Sequence, residues 1–336
     1  MTRLFNNSAV RRLSVSIFLL MATFLIVPVH SLGDSVNTSQ RTVTKLADGI
    51  YEIWHKDAPS GFPQSNTVVI IGDTEVLVVD SCYLPSSARE DIAQIRQWTD
   101  KPVRYLLNTH RHGDHNFGNV AYAEAFPGIA IIAQTETAKD MARLEPITLA
   151  EYPQVITIIE KDLETGKHLD GSPLTENDRR DLKNAKDGIN AVWVEFRNLK
   201  PKFPNVTFDH ELDVDLGNRQ VQLKYLGRGN TAGDAIAYLP KEKILITGDL
   251  VDHPVPYLGH GFPVEQIVTL KKMLELDADT IVPGHGDVLH DKTYVQQEIE
   301  FLEVVVAAVS DEIGRSSADP MPKLDKIRRR SRKMWT

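Results

Sequence analysis

The segment NTHRHGDHNFGN, residues 108–119, concentrates three histidines and an aspartate within six positions. It follows the apolar run VRYLL, which is typical of a buried strand. In an extended chain, side chains two residues apart point the same way, so His110 and His112 can face one metal ion. The chain can turn at the following glycine, which lets Asp114 and His115 address a neighbouring point. Imidazole and carboxylate are good zinc ligands, so this spacing predicts a site for one or two metal ions.

The residues HRHGDH resemble the His-x-His-x-Asp-His signature of the metallo-β-lactamase superfamily. Three further segments, LVVDS, TGDL and VPGHGD, match the order of that family's motifs over about residues 43–290. The resemblance implies that Asp80 supports the metal loop, that Asp249 bridges both metal ions, and that His285 is the last histidine ligand. It also implies an α/β protein of layered α+β type: the αββα four-layer sandwich of the metallo-β-lactamase fold, with a helical insertion.

One motif departs from the family pattern. The family usually carries a histidine in a Gly-x-Gly-His-Thr-x-Gly turn, whereas this chain reads LGRGNTAGD, with Asn230 at the ligand position. An amide oxygen is a weaker donor to zinc than imidazole, so we expect the first metal site to bind metal less tightly. Three outcomes are open. Asn230 coordinates metal through its oxygen in a weakened dinuclear centre, the centre is mononuclear, or another residue completes the first metal site. His253 and His260 are the candidates for that completion; otherwise each is a substrate-pocket or surface histidine. A further interpretation makes Asn230 a turn former that touches no metal.

Metal at this site implies hydrolysis, because a metal-bound water ionises near neutral pH and becomes the nucleophile. We expect Asp114 to orient that nucleophile or to move its proton. An aspartate at the position of Asp249 resembles the thioesterase, lactonase and phosphodiesterase branches of the family. This resemblance favours an ester, thioester or lactone as substrate, with a β-lactam as a further option. We expect Zn²⁺, one or two ions per chain, with Fe or Mn as alternatives. The rival hypothesis is a degenerate family member that binds a metal or ligand without turnover.

Short strands and helices alternate around these motifs, which predicts a sheet-and-helix domain. Strands are expected in GIYEIWH, NTVVIIGDTEVLVVDS, PVRYLLNT, GIAIIA, RQVQLKYL, AIAYLP, KILITGD and TIVPG. The segment SSAREDIAQIRQW places Ala88, Ile92, Ile95 and Trp98 at helical spacing. Later helices are expected over residues 264–276 and 292–313.

Residues 144–204 interrupt this alternation. They contain two stripes of apolar residues at helical spacing, the first ending at Gly166 and the second running from Leu182 to Leu199. The pattern predicts a helical hairpin inserted into the domain. Such a hairpin either only packs, or it forms a wall or lid over the site.

The first 31 residues have the three-part layout of a secretory signal. Arg3, Arg11 and Arg12 precede an apolar run of about 15 residues, shorter than the roughly 20 of a spanning helix. We therefore expect a signal peptide at 1–31 and an exported protein, periplasmic or secreted. A disordered linker at 32–42, the metallo-β-lactamase-like domain at 43–313 and a basic tail at 314–336 complete the predicted organisation.

The chain is acidic. Its formal net charge is −8, and loss of three arginines with the signal peptide gives −8 − 3 = −11. This charge argues against nucleic acid and, after signal cleavage, against a membrane as partner. A small-molecule substrate is the expected partner, and the sequence leaves the oligomeric state open. Cys82 is the single cysteine, so the core or a metal must stabilise the exported protein without an internal disulfide.

Overall fold

The computed structural model describes residues 41–168 and 170–315. The predicted signal peptide, nearly all of the predicted linker and the tail beyond residue 315 lie outside the described residues. The first strand begins at Arg41, two residues before the predicted start of the domain at residue 43. Among the helices described, none is both long enough and apolar enough to cross a membrane.

Seven strands form the first sheet: β1 (Arg41–Ala47), β2 (Ile50–His55), β3 (Thr67–Ile71), β4 (Val76–Val79), β5 (Val103–Leu107), β6 (Ala130–Gln134) and β7 (Val206–Phe208). They lie side by side in the order of the chain. Pairing is antiparallel from β1 to β4 and parallel from β4 to β7. Parallel strands end at the same edge of a sheet, so the loops that follow β4 and β5 are neighbours.

Five strands form the second sheet: β8 (Glu211–Asp215), β9 (Gln220–Tyr225), β10 (Ala235–Leu239), β11 (Ile244–Asp252) and β12 (Thr280–His285). Their order is β12-β11-β10-β9-β8. The pair β11 and β12 is parallel, and the other neighbours are antiparallel. All nine residues of β11 are buried, including its polar end, which is the first sign that this strand carries a site.

Six helices are described: α1 (Pro85–Trp98), α2 (Asn119–Ala125), α3 (Thr135–Thr165), α4 (Glu176–Phe196), α5 (Pro263–Leu274) and α6 (Thr293–Arg315). The predicted helices at 264–276 and 292–313 correspond to α5 and α6. Proline at the first position of α1 and of α5 suits a helix start, because the first N–H groups of a helix have no intrahelical partner.

Alternation along the strands produces the layers. In β3, Val68 and Ile70 belong to the apolar cluster between the two sheets, whereas Val69 packs in the cluster beneath α1 and α2. In β10, Ala237 faces the first cluster and Ile236 faces the cluster formed with α5 and α6. The order is therefore helices, sheet, sheet, helices, and the predicted αββα sandwich is confirmed.

Residues 56–63 and 145–199 form a second, smaller compact unit. It holds most of α3 and all of α4, which correspond to the predicted helical hairpin, although α3 already begins at Thr135. Tyr152 stacks on Trp193 with ring centroids 5.9 Å apart and meets Phe196 edge-on at 5.4 Å. Thr175 and Asp178 close the start of α4 with a reciprocal capping box.

Glu145 in α3 is expected to destabilise the protein as pH rises. Its side chain is buried, its Oε1 has no hydrogen-bond partner among the described residues, and burial raises its pKa from 4.5 to about 9. A folded pKa above the unfolded one means that stability is complete below pH 4.5 and is lost as pH rises towards 9. Glu145→Gln should therefore increase the free energy of unfolding by about 3 kcal/mol at pH 7, and by little near pH 4.5.

Urea unfolding followed by circular dichroism at both pH values checks this expectation. Glu164→Gln, the same change on an exposed residue of the same helix, is the matched control. It should leave the free energy of unfolding unchanged at both pH values. A Glu145→Gln variant with wild-type stability at pH 7 would show that the carboxyl group is solvated there.

Candidate metal centre

The loop after β5 carries four of the predicted ligands. It leaves the strand at Asn108 and makes one short 3-10 turn over Gly113–His115, which buries Asp114 and His115. Asn108 and Asn119 hold this loop by exchanging side-chain hydrogen bonds of 3.0 and 2.8 Å. These amides replace the strand ladder that ends at β5, so the metal loop is fixed although it is irregular.

Asp80 lies at the end of β4, beside this loop. Its φ of 58° is left-handed, which aspartate tolerates better than most residues and which turns its carboxylate towards the neighbouring loop. Oδ1 accepts a 2.8 Å hydrogen bond from the Thr109 amide, and Oδ2 accepts from Thr109 Oγ1 and His115 Nδ1, both at 2.7 Å. Thr109 Oγ1 in turn lies 3.1 Å from His110 Nδ1. Asp80 therefore orients two histidines, and both present Nε2 to the centre.

Asp249 lies three residues before the end of β11, and His285 is the last residue of the parallel strand β12. Asp249 Oδ2 lies 3.2 Å from His110 Nε2, and Oδ1 lies 3.0 Å from His115 Nε2. One carboxylate thus faces two different histidines with its two oxygens. Gly284 permits this approach, because a Cβ atom there would lie 2.0 Å from Asp249 Oδ1.

The ligand atoms form two groups, each with members within 4.8 Å of one another: His110, His112 and Asp249 in the first, and Asp114, His115 and His285 in the second. In the first group, His110 Nε2 and His112 Nδ1 are 2.9 Å apart. In the second, His285 Nε2 lies 3.1 Å from Asp114 Oδ2 and 3.2 Å from His115 Nε2. The structure brings all six together.

The electrostatics of the centre suit a cation. Burial opposes ionisation of Asp249, but nearby imidazoles, His115 foremost, hold its pKa well below the ordinary value. Burial likewise opposes ionisation of Asp114, yet His115 and His285 lower its pKa to about 2. Burial lowers the pKa of His112 to about 3, so its ring is neutral and keeps a lone pair on one of its nitrogens. Two carboxylates and a neutral imidazole are what a divalent cation requires.

The donor set fits metal. Imidazole nitrogens and carboxylate oxygens without sulfur suit zinc, and they also suit iron and manganese. His115 Nδ1 already donates to Asp80, so the lone pair of His115 lies on Nε2. That lone pair faces His285 Nε2 and the carboxylates of Asp114 and Asp249. Lone pairs and anionic oxygens this close repel one another unless a cation or protons lie between them.

Asn230 lies in the turn between β9 and β10 and is fully buried. Its Nδ2 donates a 3.0 Å hydrogen bond to the carbonyl of Tyr257, and its Oδ1 has no hydrogen-bond partner in the described part of the chain. A buried amide oxygen without a donor is costly, and a cation is one of the few ways to satisfy it. The role of Asn230 as a ligand stays a prediction.

Asp234 fixes this turn and was not among the predicted site residues. Its carboxylate accepts from the amides of Gly229 and Thr231 and from Thr231 Oγ1, at 2.7 to 3.0 Å. A glycine-rich turn closed by an aspartate is a detectable sequence signal, because short acidic side chains commonly accept from nearby backbone amides.

The two candidate replacements for the missing histidine occupy different places. His260 Nδ1 lies 3.1 Å from His112 Nε2, the ring nitrogen opposite the one that faces Asp249. His260 therefore contacts His112, a predicted ligand, on the side of the ring that faces away from Asp249. The His253 ring packs edge-on against Tyr294 at 4.9 Å, and the structure does not bring it into either ligand group.

Asp252, at the end of β11, is a second site residue that the sequence reasoning missed. It forms a further close group with Asp249 and His285, and it is buried. Its Oδ2 accepts a 3.2 Å hydrogen bond from the amide of Tyr257. Burial, and then the charge of Asp249, raise its pKa well above the ordinary value. No periodic pattern marks this residue, because its importance comes from where the strand ends.

Comparisons with known proteins agree with this architecture. A linear primary-alkylsulfatase of Pseudomonas sp. (strain ATCC 19151) is 24% identical over 250 residues, covering 71% of this chain and 45% of that protein. A metallo-beta-lactamase type 2 of Elizabethkingia meningoseptica is 24% identical over 113 residues, covering 32% of this chain and 44% of that protein. The chain thus spans about half the length of these curated relatives.

The fold itself matches solved structures. A metallo-beta-lactamase from Pontibacter korlensis superposes with a TM-score of 0.55 at 19% identity, covering 79% of this chain and 99% of that one. The sequence model of the metallo-beta-lactamase superfamily matches residues 60–285, which contain both ligand groups. By its sequence, its αββα layers and its histidine–aspartate centre, the chain belongs to the metallo-β-lactamase superfamily.

Proposed function

We propose that this protein is an exported, metal-dependent hydrolase that holds zinc and cleaves an ester, thioester or lactone. The observation that carries the proposal is the position of Asp249, whose two oxygens face His110 and His115 at 3.2 and 3.0 Å. A carboxylate shared between two histidine groups is the arrangement that a dinuclear hydrolytic centre uses.

The relatives support hydrolysis more than any one substrate. One is named for cleavage of an alkyl sulfate and the other for cleavage of a β-lactam. The ester, thioester or lactone therefore rests on Asp249, as argued from the sequence, and a β-lactam remains the second substrate to test. Export rests on residues 1–31, and the N-terminus of the purified protein, expected at Leu32, checks it.

The residues of the chain have separate tasks in this proposal. Metal held by the two ligand groups would supply an acidified water molecule and would polarise the substrate carbonyl. Asp114 Oδ2 stays ionised and is placed to accept a hydrogen bond from the attacking water and to move its proton. Asp80 holds His115 and, through Thr109, His110 in the tautomers that present Nε2 to the centre. Burial of the loop keeps bulk water away from these groups.

A binding protein without turnover is the second candidate function, and Asn230 favours it. An amide in place of imidazole weakens the first site, and the amide already donates to Tyr257. The complete second group argues for turnover, since Asp114, His115 and His285 converge within 4.8 Å.

Metal content and turnover together separate the two candidates. We expect one firmly held metal ion per chain and a second that dissociates on dialysis, measured by elemental mass spectrometry. Asn230→His should retain the second ion about 10–100-fold more tightly. Asn218→His, a matched change on an exposed loop residue, should leave metal content unchanged.

The wild type is assayed in parallel on esters, thioesters, lactones and β-lactams, with and without chelator. Chelator-sensitive turnover of one of these substrate classes would support the hydrolase proposal and identify the substrate class. Absence of turnover above buffer across the panel, with metal bound, would favour the binding protein.

A further inference from the structure

Arg111 lies between two predicted ligands in the motif HRHGDH, and the metal chemistry does not use it. Only 16% of its side chain is exposed. Within residues 41–168 and 170–315, its sole close carboxylate is Asp140, with 3.9 Å from Arg111 Nε to Asp140 Oδ2, and its guanidinium makes no hydrogen bond. A largely buried guanidinium with a distant counter-charge is costly, because burial removes its hydration.

Asp140 is also shared. Arg143 donates to Asp140 Oδ1 at 2.6 Å, a much closer contact than that of Arg111. Two guanidinium groups therefore meet one carboxylate, which leaves one positive charge. The other carboxylate that acts on Arg111, Asp234, already accepts three hydrogen bonds within its own turn.

Two polar side chains border the metal ligand that follows Arg111. Arg111 immediately precedes His112, a predicted ligand, in the chain. Tyr257 packs edge-on against His112 with ring centroids 5.8 Å apart, and its hydroxyl lies 3.5 Å from His260 Nδ1. Tyr257 and His260 thus form a small polar wall against the ligand that follows Arg111 in the chain.

We propose that Arg111 binds an anionic group of the substrate, a carboxylate or a sulfonate-like oxyanion, at the edge of the metal centre. The planar fork of arginine matches both oxyanions with two parallel hydrogen bonds, which a lysine cannot reproduce. The inference rests on the proposed function and narrows it: the ester, thioester or lactone carries a negative charge. Arg111 is a specificity-determining residue and takes no part in bond cleavage.

Matched substrates test the proposal on the metal-loaded protein. The 4-nitrophenyl monoester of glutaric acid carries a free carboxylate, and the corresponding ester of glutaramic acid carries a neutral amide of the same shape. Arg111→Gln should raise KM for the acid about 10–100-fold, the loss of a charged hydrogen bond, while kcat and the amide substrate change little. A sulfonate analogue of the acid distinguishes carboxylate from sulfonate as the preferred group.

Three further variants separate charge recognition from structure. Asp140→Asn removes the shared counter-charge and should lower KM for the acid. Arg143→Gln changes the other, exposed partner of Asp140 and should not raise KM for the acid. Arg111→Lys keeps the charge without the fork and should fall between wild type and Arg111→Gln. Metal content must remain at the wild-type level in all four.

Calorimetric titration of glutarate and glutaramide decides the proposal even without turnover. Weaker glutarate binding by Arg111→Gln, with glutaramide unaffected, supports the anion site whether or not either ester is hydrolysed. If neither ester reacts in the wild type but glutarate binding still depends on Arg111, the hydrolase proposal fails for these esters and the anion site stands. Equal losses for charged and neutral ligands, or lost metal, would assign Arg111 a structural role and overturn the inference.

Discussion

Asp249→Asn is expected to empty both halves of the metal centre and to reduce turnover by at least about 10³-fold. Removal of a single well-placed catalytic donor already costs about 10²–10³-fold, and this residue serves two groups at once. Its oxygens face His110 and His115 at 3.2 and 3.0 Å, and His285 lies 3.7 Å away. The amide keeps the shape but loses the charge, so a buried set of imidazoles remains without its central anion.

Metal content after dialysis and kcat/KM on the best substrate of the panel measure this effect. The matched control is Asp252→Asn, three residues later in the same strand. Burial raises the pKa of Asp252, and its Oδ2 accepts from the Tyr257 amide, so an asparagine can keep that contact without a loss of charge. We expect Asp252→Asn to retain at least one metal ion per chain and measurable turnover.

Two outcomes would change the assignment. Full metal content in Asp249→Asn would show that the two histidine groups bind metal without a shared carboxylate. Equal loss of metal in Asp252→Asn would make Asp252 a ligand, in keeping with its closeness to Asp249 and His285.

The part of the site that the sequence could predict is the part encoded locally. His110, His112, Asp114 and His115 lie within six residues, and a strand followed by a glycine is enough to give them direction. Asp249 and His285 were predicted because TGDL and VPGHGD resemble the family's motifs. The structure places them close together because they lie near the ends of two parallel strands. The alternation of strands and helices predicted a sheet-and-helix domain, and the αββα layering was predicted from the resemblance to the family.

The rest depended on distances between residues far apart in the chain. Asp140 and Arg111 are separated by a strand and a helix, so no spacing rule reveals that Asp140 is shared with Arg143. The contact of His260 with His112 likewise joins two loops 148 residues apart. The first turns of α3 were also missed, and the prolines at 146 and 153 lie inside this helix although proline normally interrupts one.

Asp114→Asn is expected to lower kcat by about 10²–10³-fold while most of the metal stays bound. The carboxylate lies 3.1 Å from His285 Nε2 and 3.7 Å from His115 Nε2, at the edge of the second group. An asparagine oxygen can still face the cation, so the loss of metal is partial. What the amide cannot do is accept and release a proton, which is worth about 10²–10⁴-fold in general acid–base catalysis.

The pH profile gives a readout that a structural defect would not. Although burial opposes its ionisation, His115 and His285 lower the pKa of Asp114 to about 2, so it is ionised throughout pH 5–9 and the wild-type rate should not fall at the acid end on its account. Asp114→Asn should therefore reduce kcat by the same factor at each pH in that range. Asp287→Asn, an exposed aspartate two residues beyond His285, is the matched control and should leave kcat unchanged. Near wild-type turnover in Asp114→Asn, with metal retained, would remove this residue from proton transfer and leave the metal ligands alone to account for any hydrolysis.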